Sequence, residues 1–358
     1  MQAAFELAEK ARLLSPPNPW VGCTIVQEGQ IVGRGFTQPP GSAHAEIVAL
    51  REAQTKAEGA TVYVTLEPCS HWGRTPPCVD ALIAAKVKKI VVAIEDPDPL
   101  VKGQGIQRLR QAGIEVIVGE CSEQAMQLLE PYIFHRTHRC SFCVLKSGVS
   151  MDGRIAAQDR SSQWITSEEA REDVQRLRAQ SQAILVGAGT ANTDKPKLTV
   201  RHPSYTPLKP PLRVVCAGKS NLEPDGPLFD MTLGPTLIYA TEQSPPQNIE
   251  TWQATGAEVK LIGSHNGNID LKALLQDLAT RGVLQVLVEG GPTLQASFIQ
   301  AKLAQKWVVY VGNCLLGNTG LPLLSDFIVK TIKDAPRFIL DSCQQFADSV
   351  KLIYSPNL

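Results

Sequence analysis

No stretch of this sequence is apolar for long enough to cross a bilayer. The first residues, MQAAFELAEKARLL, carry acidic side chains in an amphipathic pattern and lack a continuous hydrophobic run of the secretory kind. Neither a membrane span nor a signal segment is expected, and the expected location is the cytoplasm. Net charge is missing too, because 35 Lys and Arg balance 35 Asp and Glu. Such a balance argues against a surface built to grip a nucleic-acid polymer, although a local basic patch is compatible with it. There are no internal repeats and no low-complexity segment. The G-x-G-x-x-G run is absent as well, so the usual dinucleotide-binding fold is not indicated. The nine cysteines are odd in number and scattered along 358 residues. In a reducing compartment, closely spaced cysteines are metal ligands or inert thiols more often than disulfides.

What is present is alternation. The chain has room for two domains, each with its own core. MQAAFELAEKARLL has helical periodicity and ends at the breakers Ser15-Pro16-Pro17-Asn18-Pro19. VGCTIVQEGQIVGRGF reads as a hairpin turning near Gly29, and HAEIVALREAQTKA as a helix. TVYVTLE, KKIVVAIEDPD and IEVIVG are strands, with CVDALIAAKV and GIQRLRQAG as the helices between them. A helix over residues 123–134 is followed by HRTHRC, polar and aperiodic, where the boundary is placed: 1–140 against 141–358. The second half restarts with FCVLKSGVS, AILVGAG, LRVVCAG, PTLIYAT, VLQVLVEGG, KWVVYVGNCLLG and VKLIYS as strands. Its first helix is expected to open with Thr166 and Glu169 as a capping box. Residues 202–211 read as an excursion loop. Strands separated by helices imply α/β sheets with covered faces.

The chemistry-bearing residues gather first at GSAHAEIVAL and EPCSHWGRTPPC. Zinc takes imidazole and thiolate ligands, and a catalytic site keeps three protein ligands and an open position. His44, Cys69 and Cys78 supply such a set. The two cysteines sit near a strand end and a helix start, where N–H groups favour thiolates. Glu46 can carry a proton between an attacking water and a leaving nitrogen. Positions i and i+2 of a regular helix face different sides, so His44 and Glu46 share a site only if His44 lies at an irregular first turn. The order is that of zinc deaminases, H-x-E followed by P-C and a second cysteine, except that eight residues separate the cysteines where two are usual. A purely structural zinc would leave Glu46 without a purpose. His71 reads as a surface loop residue.

Over nearly its whole length, through PNPWVGCTIV, HAEIVAL, VTLEPCSHWGRTPPC, MDGRIA, SQWIT, RLRAQ and VEGGPTL, the chain resembles the bifunctional deaminase–reductases of riboflavin biosynthesis. The resemblance implies a cytidine-deaminase-like three-layer domain at residues 1–140, then a dihydrofolate-reductase-like α/β domain at 141–358. The first would remove the 2-amino group of 2,5-diamino-6-ribosylamino-4(3H)-pyrimidinone 5′-phosphate, using Zn2+. The second would use NADPH to reduce the ribosyl group to ribityl. It further implies that Asn18, Arg74 and Asp96 hold the deaminase substrate, with Thr37 standing where relatives often have histidine. Ser162, Arg178, Leu198, Arg201 and Glu289 would contact the reductase substrate, as would Lys146. Gly148, Trp164, Thr190, Asp194, Gly290, Gly291 and Thr293 would contact the cofactor, the glycines beside a helix N-terminus suited to phosphate. Lys195 and Cys216-Ala217-Gly218 depart from the family pattern. Small-molecule substrates and a homo-oligomer are expected, with no nucleic-acid or membrane partner. Two other readings remain: a zinc deaminase of nucleosides or tRNA bases with an unrelated appendage, and a nonenzymatic nucleotide-binding protein.

Overall fold

The computed structural model describes residues 1–358 except Arg74, Leu100, Asn266, Gly267 and Leu358. The chain divides into two compact units, Met1–Arg139 and Cys140–Leu358.

The first unit is built on a five-stranded sheet. Its order is Gln30–Phe36, Gly22–Gln27, Thr61–Val64, Lys89–Val92, Glu115–Val118. The first two pairings are antiparallel and the last two parallel. Ile90, Val91 and Val92 are all buried in succession, as expected of a strand covered on both faces. The helix Ala45–Ala53 lies unusually close to the hairpin because Gly33 and Gly35 leave room for it. A Cβ on Gly35 would come within 2.0 Å of the Ala45 carbonyl oxygen. That contact fixes the start of the helix, where His44 and Glu46 reside.

One expectation is corrected here. HRTHRC is not an aperiodic linker: its first four residues belong to the helix Glu130–His138, which Arg139 ends in a left-handed conformation at φ 52°. Tyr132 packs in the core, and Pro131 near the helix start costs no hydrogen bond. Polarity on three sides of a helix hid its period.

The second unit carries a nine-stranded sheet. The order is Glu258–Leu261, Thr236–Ala240, Leu212–Gly218, Ala183–Gly187, Gln285–Val288, Phe142–Val149, Lys306–Val311, Ser349–Pro356, Phe338–Phe346. The first seven run parallel, and the last two pair antiparallel. The sequence reading missed the edge strand Phe338–Phe346, whose residues are mostly exposed and carry no clean alternation. It also placed the first helix cap one residue early. The cap is Ser167, whose Oγ accepts from the Ala170 N–H, and the helix runs Glu168–Ala179. Thr166 instead offers its carbonyl to Arg171 at 2.7 Å, so the expected capping box does not form. The C-terminal ends of the parallel strands place Lys146–Val149, Gly187, Gly218 and Glu289–Gly291 along one edge, the usual location of sites in such sheets.

Candidate active sites

His44 is the residue before the helix Ala45–Ala53, with extended backbone at φ −75° and ψ 166°. It therefore escapes the helical period, and its ring turns to the side that Glu46 faces from the first turn. Cys78 opens the helix Cys78–Ala84, and its N–H donates to the Cys69 Sγ at 3.3 Å. The His44 Nδ1 lies 3.4 Å from the Cys69 Sγ and 3.3 Å from the Cys78 Sγ. All three ligand atoms fall within 4.8 Å of one another. Bond lengths of about 2.3 Å to sulfur and about 2.0 Å to nitrogen, at a tetrahedral angle, would put nitrogen and sulfur roughly 3.6 Å apart. The two observed nitrogen–sulfur distances need only a few tenths of an ångström to fit that, so the donor set suits zinc.

Charge supports the same conclusion. Hydrogen bonds from Cys78 and His44 hold the Cys69 thiol down at about 4, while Cys78 is driven up by its bond to that sulfur and by burial. Two adjacent thiolates need a positive partner, which a dication supplies. Glu46 is 4% exposed, and burial, with the Cys69 charge, pushes its carboxyl up to about 7.

A cavity of 360 Å³ brings His44, Glu46 and Cys69 together with Asn18, Thr37 and Asp96. Arg74 lies outside the described residues. Thr37 is buried and uses its hydroxyl on the Val21 backbone, accepting from N–H at 3.1 Å and facing the carbonyl at 3.4 Å. It has little left for a substrate. His71 is exposed and lines the same cavity. Sequence reading missed three groups here. Tyr132 donates to both Asp96 oxygens at 3.2 Å. Arg136 lines the wall beside Asp98. Glu67 is buried and accepts backbone N–H bonds from Asp96, Gly103, Gly105 and Ile106 at 2.9–3.2 Å. It ties the strand end before Cys69 to the loop bearing Asp96. Only the i, i+4 spacing of Tyr132 and Arg136 could have hinted at one shared helix face.

The second unit has two cavities, of 560 and 480 Å³, and Ile155 and Ser162 line both. The larger takes in Thr190, Asp194, Gly291, Thr293 and Cys216–Gly218. Thr190 Oγ1 accepts from the Gly291 N–H at 3.0 Å, which fixes the turn into the helix Pro292–Gln300. A Cβ on Gly290 would come within 2.6 Å of Leu294 Cδ2, so the Leu294 side chain would have to shift to admit one. The smaller cavity takes in Lys146, Gly148, Trp164, Arg178 and Arg201. Gly148 and Trp164, expected beside the cofactor, thus lie with the residues expected to hold substrate, and Trp164 is 67% exposed under Arg171.

Glu289 lies beneath that cavity in a fork from Arg178, at 2.6 and 2.9 Å, with the Lys146 Nζ at 3.7 Å. Burial alone would raise its carboxyl, yet the two cations pull it down to about 2. Leu198, expected to contact substrate, is 1% exposed within the core, at φ 48°, and lines neither cavity. Lys195 ion-pairs with Asp225 and does not line a cavity. Lys219, Ser220 and Tyr310 line the cavities without having been singled out by sequence.

Residues 1–94 match the cytidine and deoxycytidylate deaminase zinc-binding region, and residues 141–352 match the RibD C-terminal domain. The riboflavin biosynthesis protein RibD of Chlamydia trachomatis is 44% identical over 355 residues, covering 99% of this chain and 94% of that protein. The Escherichia coli RibD is 41% identical over 349 residues, covering 94% of this chain and 93% of its own length. The solved Acinetobacter baumannii RibD superposes with a TM-score of 0.90 at 36% identity, covering 100% of this chain and 98% of that one. The chain belongs to the riboflavin-biosynthesis deaminase–reductase family. A Thermotoga maritima structure described as a diaminohydroxyphosphoribosylaminopyrimidine deaminase/5-amino-6-(5-phosphoribosylamino)uracil reductase superposes at 0.88, with 31% identity over 99% of this chain and 97% of that one. Family membership accounts for two dissimilar sites in one chain. One has a ligand set for zinc; the other has cavities of 560 and 480 Å³ that share Ile155 and Ser162. Among the described residues, no helix is long and apolar enough to cross a membrane.

Proposed function

We propose that this chain is a bifunctional enzyme of riboflavin biosynthesis. Residues 1–140 would deaminate 2,5-diamino-6-ribosylamino-4(3H)-pyrimidinone 5′-phosphate with Zn2+. Residues 141–358 would then reduce the ribosyl side chain with NADPH to give 5-amino-6-ribitylaminouracil 5′-phosphate. The observation that carries the reading is the His44, Cys69 and Cys78 triangle, of which His44 and Cys69 line one cavity with buried Glu46 and with Asn18 and Asp96. Zinc, held by those three residues, supplies the Lewis acidity that makes water a nucleophile near neutral pH. Glu46 takes the proton of the attacking water and returns it to the 2-amino nitrogen as the C–N bond breaks and ammonia leaves. Asn18 and Asp96 orient the ring by hydrogen bonds, and Arg74 offers a fork for the phosphate.

In the second unit NADPH supplies the hydride for C1′, and the protein's part is alignment. Ser162 stands where the two cavities join, so the larger is read as the cofactor cleft and the smaller as the sugar and phosphate site. Thr190, Asp194, Gly290, Gly291 and Thr293 line or shape the first. Lys146, Gly148, Trp164, Arg178 and Arg201 line the second, with Glu289 behind them. Partners are small molecules alone; the zero charge balance speaks against nucleic acid. A cytoplasmic homo-oligomer is the working form, and the exposed edge strand Phe338–Phe346 favours pairing with a second copy.

The test gives purified protein the diaminopyrimidine phosphate with and without NADPH, recording ammonia and cofactor absorbance together. Ammonia is expected in both mixtures and NADPH oxidation only after it. Oxidation without prior ammonia, or no ammonia at all, would overturn the order of steps.

A further inference from the structure

The cavity of the first unit is strongly acidic for a site that must admit a phosphate ester. Glu46, Glu67, Asp96 and Asp98 all line it. A phosphate ester brings about −1.5 to −2 charges at neutral pH, so it needs a cation within contact distance. Among the described residues lining the cavity, the single Lys or Arg is Arg136. Its position is prepared. Tyr132 and Arg136 stand one turn apart on the helix Glu130–His138, and the guanidinium carbon sits 5.1 Å from the centre of the Tyr132 ring. The Arg136 Nε lies 3.6 Å from an Asp98 oxygen, too far for a hydrogen bond, and that buried nitrogen has no hydrogen-bond partner. The side chain is about one-third exposed, at 32%, so part of its fork opens to the cavity.

We infer that Arg136 binds the phosphate of the deaminase substrate and that Asp98, its acidic neighbour, limits how tightly it does so. The inference rests on the deaminase reading proposed above and adds a second cation to the one expected at Arg74. The stacked ring and the Asp98 carboxylate hold the guanidinium plane in advance, so little rotamer freedom is lost on binding. An anion arriving there meets the exposed part of the fork, since the Nε is buried, and must share the guanidinium with Asp98. Opposite effects of the two neighbours follow: removing the cation weakens binding, and removing the competing anion strengthens it.

The experiment measures steady-state ammonia release by full-length protein loaded with zinc. The substrates are the diaminopyrimidine ribosyl phosphate and its dephosphorylated counterpart, and the proteins are wild type, Arg136→Gln, Arg136→Lys and Asp98→Asn. Arg136→Gln is expected to raise KM for the phosphorylated compound about 10-fold or more, with kcat and zinc content unchanged. It should leave the dephosphorylated compound as wild type handles it. Arg136→Lys should recover part of the loss, and Asp98→Asn should lower KM for the phosphorylated compound alone. A general structural role cannot produce that improvement. If wild type releases ammonia and Arg136→Gln has an unaltered KM, or loses equally on both compounds, the inference is overturned and the deaminase reading stands. If wild type releases no ammonia from either compound, that reading fails and the inference falls with it.

Discussion

The cavity of the first unit and the paired cavities of the second distribute their ionisable groups in opposite ways. In the first, two thiols, an imidazole and a buried carboxyl crowd around one point, and acids dominate the remaining wall. In the second, Lys146, Arg171, Arg178 and Arg201 outnumber Glu168 and Glu172 on the smaller cavity's wall, and the buried acid beneath it, Glu289, is neutralised by two of those cations. The contrast follows from where the chemistry resides. Hydrolysis leaves proton transfer to the protein, so a carboxyl must be held in a state where it can both take and give. Hydride transfer belongs to the cofactor, so the protein needs only fixed charges that grip anions. Substitutions at the metal ligands and the proton carrier of the first unit should therefore strike turnover, and those at the fixed cations of the second should strike binding.

The largest effect is expected from Cys78→Ser. Cys78 is fully buried at the helix start and shares the His44 nitrogen with Cys69. Plasma emission should find the metal lost and ammonia release gone, with reduction of pre-deaminated substrate intact. Full metal retention would remove Cys78 from the ligand set.

Glu46→Gln comes next. The amide keeps the shape but cannot shuttle a proton, and such groups are worth roughly 10²- to 10⁴-fold in rate. Zinc should remain and kcat for ammonia release should collapse, while KM moves little. Near-normal release would sink the assignment. Arg201→Ala tests the other side of the contrast. The Arg201 N–H is held by the Gln175 Oε1 at 2.9 Å, so the loop should keep its place without the side chain. A charge-assisted contact is worth about 1.5–3 kcal/mol, so the reductase KM should rise about 10- to 150-fold with kcat near wild type. A fall in kcat at constant KM would break the comparison between the two units.

Much of this arrangement was legible in the sequence because it is local. The strands carrying the sites are short runs of β-branched and apolar residues, and His44, Glu46, Cys69 and Cys78 stand within one βα stretch. The helix-period objection to His44 and Glu46 dissolved because His44 lies outside the helix, as the preceding Pro39-Pro40-Gly41-Ser42 allowed. What escaped was decided at long range. Tyr132 and Arg136 reach Asp96 and Asp98 across some forty residues of chain, and no periodicity reports that. Glu67 looked like part of a strand end, yet four N–H groups from the loop bearing Asp96 and from the start of the helix Gln104–Gln111 converge on it. Leu198, expected to touch the reductase substrate, has its side chain claimed by the hydrophobic core. Ser167 displaced Thr166 as a cap because cap choice depends on the last residue with extended backbone, which propensity cannot fix to within one position.

The smallest expected effect probes that long-range layer. Burial raises the Asp96 carboxyl to about 6, against the pull of the Asp98 N–H and the Tyr132 hydroxyl; the Asp98 and Glu67 charges add to the rise. Arg136 faces the same group from above the Tyr132 ring. Because the folded value lies above the ordinary 3.8, the contribution of Asp96 to stability is full below pH 3.8 and is lost as pH rises through about 6. Substrate binding needs the opposite form, a carboxylate that accepts hydrogen bonds. Tyr132→Phe removes the hydroxyl donor, so the carboxyl should rise further and the carboxylate should form only at higher pH. The acid limb of substrate affinity, read as 1/KM because Glu46 at about 7 governs the acid limb of turnover, should then move upward in pH relative to wild type. At pH 8, where Asp96 is ionised in both proteins, KM should differ by only a few-fold, the worth of one hydrogen bond at about 0.5–1.5 kcal/mol. Reduction should not change at any pH. An acid limb that stays in place would show that Asp96 does not need Tyr132 to remain ionised, and that the hydroxyl serves packing alone.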